Sequence, residues 1–320
     1  MPGVNEQEVP RKRRRKARKP AAVAWLEYAL FRAVARLFRR LTPAGLERWS
    51  RRVGRLARRL LPRRHRTALR NLRIAFPQLP RAEHERIARA CWDHYARTTL
   101  EYLHGIDAPC EETARRFDFE GPRDAMFAEL ASGNVIVVTA HLGNWEMAGS
   151  LAGLVDRELV AVARRLDNVR IDEHLTRGRT RAGIRIIDRR HAARELIRTL
   201  DGGGLVAMVA DQAVKPREGV LAPFLGRPAW TTNAPARLAL RFETPIYCIY
   251  SIPEGDRFRL VIDPPIRPSE LAPEQRTVEW ITTAINDRIS ARIRQYPELW
   301  LWMHDRFKGV PVDSSAGSPV

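Results

Sequence analysis

Residues 135–146 read VIVVTAHLGNWE, and the fold turns on them. VIVVTA is an almost continuous apolar run of strand length, as expected of a strand buried on both faces. Gly143 and Asn144 then supply a permissive backbone and a helix N-cap, so a helix is expected from about Asn144. Strand, tight turn and helix in that order are the unit of an α/β fold. The pattern repeats along the chain. Strands are expected at 158–163 (ELVAVA), 184–187 (IRII) and 205–210 (LVAMVA), with helices over 170–182 and 191–201. Gly202, Gly203 and Gly204 stop the second of these helices. Residues 245–252 (PIYCIYSI) and 258–264 (FRLVIDP) read as paired strands joined by the turn PEGD. Helices are expected over 81–104 and 274–295. The expectation is a single α/β domain with a largely parallel central sheet flanked by helices.

The 320 residues suffice for a substantial core without metals or disulfides. Cys91, Cys110 and Cys248 show no paired spacing, which speaks against a zinc ribbon or a disulfide scaffold and for a reducing compartment. No run of eighteen uncharged apolar residues occurs, which excludes a polytopic membrane protein. The net charge is +19, and its location is more informative than its size. Residues 1–70 hold 22 of the 56 Lys+Arg and 4 of the 37 Asp+Glu, so the first 70 residues carry +18 and the other 250 carry +1. A near-neutral body with a cationic front end points to docking on an anionic surface.

Residues 11–19, RKRRRKARK, lack the interleaved aromatics that stack nucleic-acid bases, which disfavours a nucleic-acid arm. A solvated arm and a membrane-surface arm remain. The following segment, 21–38, favours the second. Arg32, Arg36, Arg39 and Arg40 cluster on one helical face, opposite Val23, Leu26, Leu30, Phe31, Val34, Leu37 and Phe38. Glu27 interrupts that apolar face. Such a helix is expected to lie in a membrane interface as an anchor. Segment 46–61 is a second amphipathic, Arg-rich helix, suited either to the membrane or to the core. The expected organisation is a basic disordered arm (1–20), membrane-associating helices (21–62), a main domain (63–308) and a flexible tail (309–320).

His141 and Glu146 carry the chemistry expected of the first stretch. Functional residues of open α/β sheets gather at the carboxyl ends of the strands. With His141 in the turn and Glu146 in the first helical turn, the two side chains can meet. The carboxylate then fixes the imidazole tautomer, and the second ring nitrogen is free to take a proton from an alcohol. The plain alternative is a buried histidine satisfied by a neighbouring acid. The spacing is not HExxH, and no trio of metal ligands is apparent, so a metal site is not expected. Arg164 follows the strand ELVAVA, and Asp211 and Gln212 follow LVAMVA, so all three are placed at the same sheet edge.

HLGNWE behind a buried strand resembles the HX4(D/E) motif of the lysophospholipid acyltransferase superfamily. More narrowly, it resembles the bacterial lipid A biosynthesis acyltransferases, the lauroyl and myristoyl transferases. Further blocks in order carry the resemblance: NLRIAFPQL at 71–79, RRLDN at 164–168, ADQ at 210–212, 223–246, and YPELWLWMHDRFK at 296–308. It implies a cofactor-free acyl transfer at the cytoplasmic face of the bacterial inner membrane. The donor is a thioester of acyl carrier protein or of CoA. The acceptor is a hydroxyl of a glycolipid, a lipid A precursor. His141 becomes the general base and Glu146 its partner. Asn144, Arg164, Arg179, Asp211 and Gln212 become substrate-binding candidates, the arginines for a thioester oxyanion or a phosphate. Rivals are a phosphatidylinositol mannoside acyltransferase, a thioesterase, and a non-enzymatic protein that binds anionic membranes or nucleic acid. The stretch PFLGRPAWTTNAPA reads as an acyl-chain slot or as a core loop leading a helix. WLWMH (300–304) reads as core packing or as an interfacial aromatic anchor.

Overall fold

The computed structural model describes residues 20–106, 108–188 and 192–310, so the basic stretch 11–19 and residues 311–320 lie outside the described residues. Helices α1 (Ala21–Phe38), α2 (Pro43–Leu60) and α3 (Pro62–Ala75) lead into the long α4 (Arg81–Gly105). Then come α5 (Cys110–Ala114), β1 (Phe117–Glu120), α6 (Arg123–Ser132), β2 (Val135–Thr139) and α7 (Trp145–Gly149). They are followed by β3 (Leu159–Ala163), α8 (Val169–Arg181), β4 (Ile184–Asp188), α9 (Ala192–Asp201) and β5 (Leu205–Val209). The chain continues with β6 (Gly219–Phe224), β7 (Arg227–Thr232), α10 (Ala234–Phe242), β8 (Ile246–Glu254), β9 (Arg257–Ile262) and α11 (Val278–Gln295).

Seven strands form one sheet in the order β1-β9-β8-β2-β5-β3-β4. Every pairing in it is parallel except β8 with β9, which close through a tight turn at Gly255. The α/β architecture and the mostly parallel sheet are as expected. The apolar run of β2 explains its central place. Ile136 and Val138 pack into a core with Leu72, Ile87, Cys91 and Ile281 on one face. Val135 and Val137 pack with Phe117, Met126, Leu130 and Met147 on the other. A strand covered on both sides has no polar face to present, hence its unbroken hydrophobicity.

Residues 219–232 form a two-stranded antiparallel hairpin rather than a loop. Its turn residues, Leu225 and Gly226, both have positive φ (51° and 79°), the backbone that a two-residue hairpin needs. Proline-rich composition hides these strands, and β1 and α6 carry equally little pattern. The block at 296–308 packs its tryptophans into the core. Trp300, Trp302 and Arg306 are fully buried. The Arg306 guanidinium donates to Trp230 O at 2.8 Å and Thr231 Oγ1 at 2.6 Å, and lies 4.2 Å from the Phe224 ring centre. Burial lowers its pKa to about 10.

No helix among the described residues is long and apolar enough to cross a membrane. Helix α1 nevertheless turns apolar side chains outward: Leu26, Leu30 and Leu37 are 71%, 67% and 58% exposed. Helix α2 does the same. It meets α4 through its small residues Ser50 and Gly54, while Leu56 and Leu60 stay exposed. A Cβ on Gly54 would stand 2.8 Å from Asp93 Cα, so side-chain size is limited there.

Candidate active site

The register of the sheet builds the site. In the parallel pair β2–β5, Thr139 stands beside Val209, and Ala210 N donates to Thr139 O at 3.0 Å. Two residues further along each chain come His141 and Asp211, side by side. His141 Nδ1 lies 2.8 Å from Asp211 Oδ1, and the backbone N–H of His141 donates to Asp211 Oδ2 at 2.8 Å. Trp300 Nε1 donates to the same Oδ2 at 2.7 Å. The Asp211 side chain is 1% exposed, whereas that of His141 is 20% exposed. Nδ1 therefore donates inward to a fixed carboxylate, which leaves Nε2 as the basic nitrogen.

Burial would lower the His141 pKa. The charge of Asp211, its hydrogen bond and the charge of Glu146 outweigh that and raise it above the usual histidine value. Burial would raise the Asp211 pKa, but the charge and hydrogen bond of His141, with Trp300 and the backbone, bring it below the usual carboxylate value. Both shifts favour an ion pair once the ring takes up a proton.

Glu146 does not hold the ring. It sits in the first turn of α7, and Arg179 of α8 binds it, Nη2 to Oε1 at 2.7 Å and Nε to Oε2 at 3.3 Å. The carboxylate on Nδ1 is Asp211, which sequence reasoning had placed among the substrate-binding candidates. The reason lies in topology. Glu146 leaves the sheet with α7, while Asp211 is carried to the ring by the strand next to β2. Glu146 still acts on the imidazole through its charge. Gln212 Nε2 stands 3.3 Å from His141 Nε2. Arg164 is exposed beyond the carboxyl end of β3 and makes no hydrogen bond or ion pair to another described residue.

The turn before α7 is held tightly. Gly143 has φ +61°, and a Cβ there would stand 1.9 Å from Ser251 O. Gly143 N donates to Leu299 O at 3.0 Å and Asn144 N to Ser251 O at 2.8 Å. Fully buried Asn144 caps α7 by accepting from Met147 N at 3.2 Å. Its amide donates to Glu101 Oε2 at 2.8 Å. His94 donates from Nε2 to Gly143 O at 3.2 Å. These two α4 side chains, with Thr98 between them, form a buried polar stripe that sequence reasoning missed. Their spacing at 94, 98 and 101 on one helical face was the available signal. Burial lowers the His94 pKa to about 4, so that ring stays neutral. His304 accepts from Ala213 N at 3.2 Å and fixes the loop after Gln212.

Among the described residues, no group of three or more His, Cys, Asp and Glu is placed to hold a metal ion. An imidazole backed by a buried carboxylate at the carboxyl edge of a parallel sheet has the chemistry a general base needs. The chain belongs to the bacterial lipid A biosynthesis acyltransferase family, whose sequence pattern matches residues 11–309. It is thereby an O-acyltransferase. It is 27% identical over 268 residues to a lipid A biosynthesis palmitoleoyltransferase of Escherichia coli (strain K12), covering 83% of this chain and 85% of that one. It is 25% identical over 265 residues to the lipid A biosynthesis lauroyltransferase of the same strain, covering 81% and 84%. A phosphatidylinositol mannoside acyltransferase of Mycolicibacterium smegmatis is 25% identical over 182 residues, covering 55% and 58%.

Proposed function

We propose that this protein transfers a fatty acyl group from an acyl thioester to a hydroxyl of a lipid A precursor, at the cytoplasmic face of the bacterial inner membrane. The observation that carries the mechanism is the asymmetric setting of His141, with Nδ1 fixed on buried Asp211 and Nε2, faced by the Gln212 amide, bound to no carboxylate. Nε2 takes the proton of the acceptor hydroxyl as its oxygen attacks the thioester carbonyl. The tetrahedral oxyanion then collapses, the C–S bond breaks, and the departing sulfur receives the proton from the imidazolium. The products are an ester and a free thiol, and no cofactor takes part. Asp211 stabilises the imidazolium. Glu146, aligned by Arg179, adds negative charge beside the ring and so favours the imidazolium. Gln212 and exposed Arg164 contact substrate, Arg164 through an anionic group of the donor or the acceptor.

The apolar outward faces of α1 and α2, next to the basic N-terminal stretch, support docking on an anionic membrane surface. The donor is an acyl carrier protein or CoA thioester, both anionic partners for a cationic front end. The test is an in vitro assay offering both kinds of thioester against purified lipid acceptors. His141→Ala is expected to abolish transfer with the circular dichroism spectrum of a folded protein retained and the melting temperature lowered, since buried Asp211 loses its partner. Turnover surviving in that variant removes the mechanism. Lipid mass spectrometry of a deletion strain is expected to show loss of one secondary acyl chain from lipid A. Loss of an acyl chain from a different glycolipid reassigns the acceptor.

A further inference from the structure

Glu27 is an anomaly in sequence and a contact in structure. A carboxylate in the apolar stripe of α1 is costly unless it has partners. Here Glu27 Oε2 accepts from Asn168 Nδ2 at 2.7 Å, and the same amide donates to Ala24 O at 3.0 Å. Asn168 is 6% exposed and caps α8 with its other end, Oδ1 accepting from Arg170 N at 3.0 Å and Ile171 N at 3.4 Å. One side chain thus joins α1 to the first turn of α8. The joint continues along α8, where the Phe31 and His174 rings meet edge to face at 5.5 Å. At its far end α8 presents Arg179 to Glu146.

What fixes the rotation of α8 about its own axis follows from these contacts. Near Arg179 the close approach is through Gly178, where a Cβ would meet Ile106 Cγ1 at 2.4 Å. Beside it Arg181 Nη2 donates to Ile106 O at 3.4 Å and Arg179 lies over the Tyr102 ring, so this end of α8 is held from α4, while the Glu27 and Phe31 contacts hold its other end to α1. We infer that Glu27 and Asn168 form a latch through which α1 sets the position of Arg179 and thereby the alignment of Glu146 beside His141. They are positioning residues and touch no substrate. The inference rests on the proposed role of His141.

The test measures kcat, KM for the acyl thioester, and the pH dependence of kcat on the full chain. Glu27→Leu suits the apolar stripe of α1, so folding and melting temperature are expected to hold. Its kcat is expected to fall about tenfold or more, the scale of a misplaced active-site group, with KM little changed. The acidic limb of its pH profile is expected to move upward, because a Glu146 released from Arg179 raises the His141 pKa further. Asn168→Asp sets two carboxylates against each other and is expected to do the same. In Glu27→Gln/Asn168→Asp the amide and carboxylate exchange places and the cap on α8 is kept, while the bond to Ala24 O is lost, so kcat and the limb are expected to return part of the way toward wild type. Wild-type kcat and pH profile in Glu27→Leu overturn the latch, as does a double variant no better than Asn168→Asp. His141→Ala is run beside them. If it turns over, the site assignment fails; if it is dead while the latch variants match wild type, only the latch fails.

Discussion

His141 and Asp211 make a pair whose titration has consequences for rate and for stability. In the proposed mechanism transfer needs the neutral ring, so kcat is expected to rise with pH through the His141 pKa, which lies above the usual value of about 6.5. Asp211→Asn removes the charge that raises it. The acidic limb is therefore expected at lower pH, while the plateau falls by roughly 10²–10⁴ because the ring loses its fixed tautomer. A pH–rate series on both proteins checks this; an unmoved limb means that another group titrates. The pair's contribution to stability has two edges. The raised histidine stabilises fully below its unfolded pKa and is lost as pH rises through the folded one. The lowered aspartate stabilises above its unfolded pKa and is lost as pH falls through the folded one. The pair is thus expected to contribute most between about pH 4 and 6.5. The sequence made His141, Glu146, Asp211 and Gln212 legible as residues of one sheet edge. It could not show which carboxylate takes Nδ1, because that depends on β5 lying next to β2 although two other strands separate them in the chain.

At the scale of elements, the turn between β2 and α7 is the most constrained segment of the site. Gly143→Ala places a side chain at φ +61° and against Ser251 O. It is expected to destabilise by at least about 2 kcal/mol in urea denaturation and to lower kcat, since His141 and Asn144 flank the position. Stability unchanged within error would mean that the turn can relax. Legibility of the elements follows how far local pattern matches tertiary burial. β2 and β5 were readable because strands covered on both faces show continuous apolar runs. The hairpin Gly219–Thr232 was not, because Pro223 and Pro228 lie within it and its turn carries Leu225 at positive φ. The polar stripe on α4 lies among buried apolar residues such as Ile87, Cys91 and Leu100, which dominate the pattern of the helix. Glu101 carries no signal of its own in the sequence, since its partners Arg97 and Asn144 come from the same helix and from the turn after β2. Glu27 reads as a flaw in α1 until Asn168 supplies its partner.

At the scale of the molecule, charge and exposed apolar surface coincide at one end of the chain. Residues 1–70 carry +18 of the net charge of +19, and the helices of that stretch leave Leu26, Leu30, Leu37, Leu56 and Leu60 largely in water. Buried faces are spent elsewhere: α2 gives α4 its small residues, and α1 gives α8 its Glu27 contact. A lipid surface satisfies both features at once, by taking the leucines into its interface and matching the arginines with anionic headgroups. The two contributions separate in experiment. Binding to vesicles containing anionic lipid is expected to weaken as salt rises, since exposed charges are screened over about 8 Å at physiological ionic strength. Leu26→Glu/Leu30→Glu keeps helix-forming residues on faces that make few internal contacts, so its melting temperature is expected to stay close to wild type. Removing two leucines from an interface is worth roughly 1.5–3 kcal/mol each when burial is complete, so partitioning onto the same vesicles is expected to drop at least about tenfold. Co-sedimentation across a salt series reads both effects. Partitioning that ignores the leucine changes but follows salt assigns docking to charge alone; partitioning that ignores both overturns docking by this end of the molecule.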